Sequence, residues 1–96
     1  MKEIMLKNVV GSFAEDKDLA REIRTKEIVP ALDAGEEVTL DFVDVDAATQ
    51  SFIHALISDI IRKRGIESLD SIYFKNCNTV VKKIISIVTD YMQESA

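Results

Sequence analysis

Cysteine, histidine, glycine and proline are all scarce in this sequence, and each shortage removes a class of structure or function. Cys77 stands alone, so neither an internal disulfide nor a cysteine-rich zinc site can be built, and a lone thiol suits a reducing compartment. His54 is the only histidine, and no nucleophile and pocket legible in the sequence accompany it as acid–base chemistry would require. Of three glycines, Gly11 precedes Ser12 in a turn that lacks the further glycines and the lysine of a phosphate-binding loop. Long apolar runs are also missing. The first residues, Met1-Lys2-Glu3-Ile4-Met5-Leu6-Lys7, alternate charge with hydrophobe, which fits neither a signal peptide nor a membrane span, and a cytoplasmic protein is expected. Basic residues are outnumbered 12 to 17, and the formal charge of −5 repels phosphate backbones, so neither nucleic acid nor membrane is an expected partner.

What is present describes one folded domain spanning residues 1–96, with 47% apolar and 30% charged residues. The organising stretch is 37–61. Val38, Leu40 and Phe42 recur with period two, then Phe52, Leu56 and Ile60 with period four, so a strand passes through a short acidic turn into a helix. Around it the spacing predicts a first strand over 2–10 and a first helix over 13–34, with Ser12 or Asp16 as its cap and Gly35 as its stop. Pro30 lacks the amide that would bond to residue 26, so a kink or break is expected between Thr25 and Pro30. The second strand covers 36–43, the second helix 49–64, the third strand 71–75, and a third helix follows a cap at Asn78 or Thr79. Strand–helix alternation of this kind implies a small α/β layer fold, β-α-β-α-β-α, with a mainly parallel sheet of three or more strands joined by right-handed crossovers.

In such a fold the loops leaving the carboxyl ends of the strands share one edge. Here they contain Gly11 and Ser12, then residues 44–50, then Asn76, Cys77 and Asn78. Strand alternation assigns Ile4, Leu6, Val38, Leu40, Phe42, Ile72 and Phe74 to one sheet face. The other face carries Met5, Lys7, Thr39, Asp41, Tyr73 and Lys75. The helices are therefore expected chiefly on the first face, with the polar face open or used in a homodimer, and Asp41 paired with Lys75 across strands. Along the shared edge, Asp44 and Asp46 with Asp41 behind them could hold a divalent cation, but capping and solvation of an acidic turn account for them without a metal, and none is expected. Thr49 and Ser51 are each a phosphoacceptor candidate or a helix cap. Cys77 can be a thiol activated by nearby helix amides or a packed side chain.

Leu40-Asp41-Phe42, the acidic turn through Val45, and Thr49-Gln50-Ser51-Phe52 resemble the STAS domains of bacterial anti-sigma-factor antagonists, and more closely the STAS-like domains of unknown function found in bacteria. Gly11-Ser12-Phe13, Arg21-Glu22-Ile23-Arg24 and Phe74-Lys75-Asn76 extend the likeness over most of the chain. In the STAS pattern a Leu-Asp-Leu strand leads through a valine to Asp-Ser-Ser-Gly-Leu at a helix start. Leu40, Asp41 and Val45 match it, Thr49 replaces the aspartate, Gln50 the phosphorylated first serine, and Phe52 the glycine, while Ser51 keeps the second serine.

The resemblance implies a noncatalytic regulatory domain without a cofactor, binding a protein partner through Asp44, Asp46, Thr49, Gln50 and Ser51, with Gly11, Ser12, Asn76 and Asn78 in the neighbouring loops. In that family the partner is a serine kinase with a histidine-kinase-like ATPase fold, and any switch by phosphorylation would move to Ser51 or Thr49. The alternative from a different class is a small nucleotide- or phosphate-binding protein using the same edge, because helix N-termini attract anions.

Overall fold

The computed structural model describes residues 1–95, with side chains through residue 93. Its elements are β1 (Lys2–Met5), α1 (Leu6–Val10), β2 (Phe13–Ala14), α2 (Lys17–Ile23), α3 (Val29–Asp33), β3 (Val38–Asp41), β4 (Ala47–Ala48), α4 (Gln50–Arg64), β5 (Ile72–Lys75) and α5 (Thr79–Ser95). A π-helical turn, Arg24–Ile28, joins α2 to α3, and a 3₁₀ segment, Ile66–Ser71, leads into β5.

The main sheet has the order β1-β3-β5 and is parallel throughout, with Ile4 opposite Leu40 and Leu40 opposite Phe74. β3 is central, and all four of its residues are buried. The expected mixed α/β architecture with a parallel sheet is therefore present, and a second, miniature parallel pair joins β2 to β4 through Phe13–Ala47 and Ala14–Ala48.

Two expected boundaries move, for a shared reason. The first strand stops at Met5 and not at residue 10, because β3 offers partners only as far as Asp41, which sits opposite Met5. Beyond that point the backbone must satisfy its polar groups locally, and it does so as the short helix α1, closed by Gly11 at φ 77° with its amide on the Lys7 carbonyl. Likewise Phe13 and Ala14 leave the expected first helix to pair with β4, and α2 begins only after Asp16, whose carboxylate accepts the amides of Asp18 and Leu19. The expected kink before Pro30 is the π turn. There the Val29 amide reaches back to the Arg24 carbonyl, which absorbs the hydrogen bond that Pro30 cannot make without ending the helix.

Phe52, Ile53, Leu56, Ile57, Ile60 and Ile61 on α4 are buried with Ile4, Val38, Leu40 and Ile72 of the sheet in a single core. α2 and α5 flank α4, with Ala20 and Ile23 from one side and Val81, Ile85, Val88 and Met92 from the other. On the opposite sheet face Glu3, Met5, Tyr73 and Lys75 are exposed, so the helices do crowd one side. Thr39 and Asp41 on that face are nevertheless buried, because they stand on the central strand between those flanking side chains.

This one-sided packing has a measurable asymmetry. Phe52→Ala should lower unfolding stability in urea by about 3 to 5 kcal/mol, the usual cost of emptying a large core site. Tyr73→Ala, on a ring 44% exposed, should cost less than about 1 kcal/mol, and equal losses would contradict the assignment of faces.

Candidate interaction site

The carboxyl ends of β1, β3 and β5 deliver three loops that hydrogen bonds tie into one rim. The amide of Asp46 donates to the Ser12 carbonyl at 2.7 Å, and that of Thr49 donates to the Ala14 carbonyl at 3.0 Å, which joins the first loop to the second. Asn78 joins the second to the third by donating its side-chain amide to the Asp46 carbonyl at 2.8 Å and, more weakly, to that of Val45 at 3.4 Å. Asn78 also accepts the Val81 amide at 2.8 Å, so the same side chain caps α5. The loop after β3 and the loop after β5 each turn on a residue in left-handed backbone, Asp44 at φ 62° and Asn76 at φ 58°, a region that Asp and Asn enter more readily than other side chains.

Beneath the rim lies Asp41, only 4% exposed as a residue yet close to the protein surface at the end of β3. Its Oδ1 accepts the Val43 amide at 2.9 Å and the Asn76 side-chain amide at 3.1 Å. These two bonds, that from Asn76 foremost, hold its carboxyl below the usual aspartate range against the opposing effect of burial, and the charge of Lys75 adds to the lowering. Lys75 is in register with Asp41, as alternation requires, but the hydrogen bonds to Asn76 and Val43 replace the expected ion pair as the principal tie.

At the start of α4 the roles of the hydroxyls separate. Thr49 is the cap, with its Oγ1 accepting the Phe52 amide at 3.1 Å, while Ser51 is exposed and has its Oγ 3.3 Å from that of Thr49. Gln50 and Ser51 also open one end of a groove of about 710 Å³ between α2, α4 and α5. Lys17 and Arg21 line it from α2, Arg24 from the π-helical turn that follows, and Ile87, Val88 and Tyr91 from α5.

With that geometry in view, a family model describes the same chain. Residues 20–82, well over half of it, match the STAS-like domain of unknown function (DUF4325), a stretch that runs from α2 through β3, α4 and β5 into α5. The chain belongs to this STAS-like family. No curated protein and no solved structure matches it.

Within this STAS-like domain, the expected edge residues fall into two groups. Asp44, Asp46, Gln50 and Ser51 are exposed on or beside the rim, with Asn76 and Asn78 also exposed in the third loop. Gly11, Thr49 and the backbone of exposed Ser12 hold the rim together, as a helix stop, a cap and a carbonyl acceptor. Asp41, Asp44 and Asp46 do not converge on a common point, and no group of residues able to hold a metal occurs among the described residues. Cys77 is half-buried, and burial pushes its thiol up in pKa despite the opposing charge of Lys82, so it is a packed side chain and a poor nucleophile at neutral pH.

Sequence reasoning did not find the groove. Its signal was present as Lys17, Arg21 and Arg24 at helical spacing i, i+4, i+7, but the partnering wall comes from a helix some sixty residues away. The pairing of His54 Nδ1 with Ser58 Oγ at 3.3 Å inside it is also an i, i+4 relation.

The depressed Asp41 carboxyl gives a pH test. Because its folded pKa lies below the unfolded value, it stabilises the fold above about pH 4, and that contribution disappears as pH falls through the folded value. Wild type should therefore be more stable than Asp41→Asn at neutral pH, with the gap closing in urea titrations below about pH 4. A gap independent of pH would remove the carboxylate from its central place.

Proposed function

We propose that this STAS-like domain is a noncatalytic interaction module that docks a protein partner on the rim formed by the three loops and the start of α4. One observation carries the proposal. Asp44, Asp46, Gln50 and Ser51 are exposed on a backbone whose loops are fixed to each other by the Ser12, Ala14 and Asn78 hydrogen bonds, so the surface is ordered before a partner arrives. Preordered polar surface lowers the cost of association.

The resemblance of residues 40–52 to the STAS domains of anti-sigma-factor antagonists points to an ATPase of the serine-kinase type as the partner, and the rim supplies a place where its action would be felt. Ser51 is exposed in the first turn of α4, whereas Thr49 spends its hydroxyl on the Phe52 amide, so Ser51 is the better acceptor. A phosphate there would meet the positive end of the helix dipole and the neighbouring Lys17 and Arg21 wall. Asp44 and Asp46 would oppose it from the rim.

The proposal is tested by using the full chain as bait in extracts of its source and identifying captured ATPases by mass spectrometry. Wild type should capture one, Asp46→Arg should lower recovery about tenfold by reversing charge at the centre of the contact, and Ser51→Asp should change recovery while Thr49→Asp, which keeps a capping oxygen, tests the neighbouring position. Equal recovery by all four proteins would contradict both the docking surface and the switch.

A further inference from the structure

The groove between α2, α4 and α5 is built differently from the rim it adjoins. Lys17 and Arg21 on α2 and Arg24 at the start of the π-helical turn form one line, and Arg62 of α4 adds a fourth cation, all in a chain of net charge −5. The single carboxylate lining the groove, Asp59, is already engaged by Arg24 at 3.4 Å and by Arg62 at 3.0 Å. Arg24 is further fixed by donating to the Ala55 carbonyl at 2.7 Å and is only 13% exposed at its side chain. Lys17 has no ion pair among the described residues, and Arg21 meets only the exposed Asp18 at 3.4 Å. A concentration of like charge on a rigid support is unfavourable in isolation and favours an anionic occupant.

The opposite wall has the reverse character. On α5, Ile87 and Tyr91 line the groove as exposed side chains one turn apart, with Tyr91 60% exposed and buried Val88 beside them. Exposed Val80 and half-buried Ile84 extend this stripe beyond the groove lining, to about 16 Å in all at the helical rise of 1.5 Å per residue. Between the walls, α4 presents the short side chains Ser51, Ala55 and Ser58 at i, i+4, i+7, flanked by Gln50 and His54.

We propose that this groove receives an acidic amphipathic helix of a protein partner, with its carboxylates along α2 and its apolar row along α5. The proposal rests on the interaction reading above and names the chemistry of one partner segment. Charge complementarity selects the occupant, since a row of Glu or Asp one helical turn apart matches Lys17, Arg21 and Arg24 in spacing as well as in sign. A small anion would use the α2 wall alone and leave the Ile87 and Tyr91 row in water.

The test is a ¹⁵N-resolved NMR titration of the full chain with a synthetic helix of about four turns carrying Glu on one face and Leu on the adjoining one. A matched peptide with Lys in place of Glu, and ATP, are titrated in parallel. The Glu peptide should give saturable shifts centred on Lys17, Arg21, Ser51, His54, Ser58 and Tyr91, and the Lys peptide none there. Lys17→Glu with Arg21→Glu should weaken the Glu peptide about tenfold or more and admit the Lys peptide, and Ile87→Ser should also weaken binding, with the spectrum of each variant showing that it remains folded. The proposal is overturned if the Glu peptide leaves the groove unperturbed, if Ile87→Ser binds as wild type does, or if ATP saturates the same residues and the peptide does not, which assigns the groove to a small anion. Asp46→Arg should leave this titration unchanged, so a failure of the groove is distinguishable from a failure of the rim.

Discussion

The carboxylate of Asp41 is the interaction on which the working end of this molecule depends. It stands at the last position of the central strand, where two parallel neighbours end beside it, and it binds the backbone of the loop that follows β3 and the side chain of the loop that follows β5. A neutral asparagine oxygen in the place of Oδ1 could accept the same two bonds, but the charge of the carboxylate strengthens both. Through Asn76 and then Asn78 the loop after β5 is tied to the acidic turn, and through Asp46 and Thr49 that turn is tied to the loop after α1. The rim is thus held by backbone groups and two asparagines, which leaves the side chains of Asp44, Asp46, Gln50 and Ser51 to face outward.

α4 connects this rim to the groove. Its core face is apolar from Phe52 to Ile61 and fixes it against the sheet, so its first turn belongs to the rim while its outer face forms the floor between α2 and α5. The cap at Thr49 matters for both, because it sets where the helix begins and therefore which hydroxyl, that of Ser51, faces outward. A partner engaging the acidic rim and the basic groove together would meet opposite charges a short distance apart. Such alternation favours one orientation of docking over others.

The sequence makes the parallel sheet legible because β3 and β5 alternate cleanly, and it makes α4 and α5 legible because their apolar residues keep helical spacing. Pro30 announces the irregular turn by its missing amide. Other features are set by tertiary geometry. Val9 and Val10 look like strand residues, yet the end of β3 denies them a partner, and Phe13–Ala14 and Ala47–Ala48 are too short to show any period. Asp41 and Lys75 look like an ion pair in one dimension, whereas left-handed Asn76 brings an amide closer than the ammonium. Topology alone makes the edge loops neighbours, and the hydrogen bonds at Ser12 and Asn78 supply the mechanism. A groove made by three helices has no linear signature, because its cationic and apolar walls come from opposite ends of the chain.

Native-state hydrogen exchange at individual amides tests most directly the claim that the three loops form one ordered surface. The amides of Val43, Asp46, Thr49 and Val81 each have a partner in the rim, so all four should be protected, and Asn78→Ala should release Asp46 and Val81 together while the amides of β3 stay protected. Free exchange at Asp46 and Thr49 in the wild-type chain, or release of Val81 with no change at Asp46, would contradict a rim held as a unit.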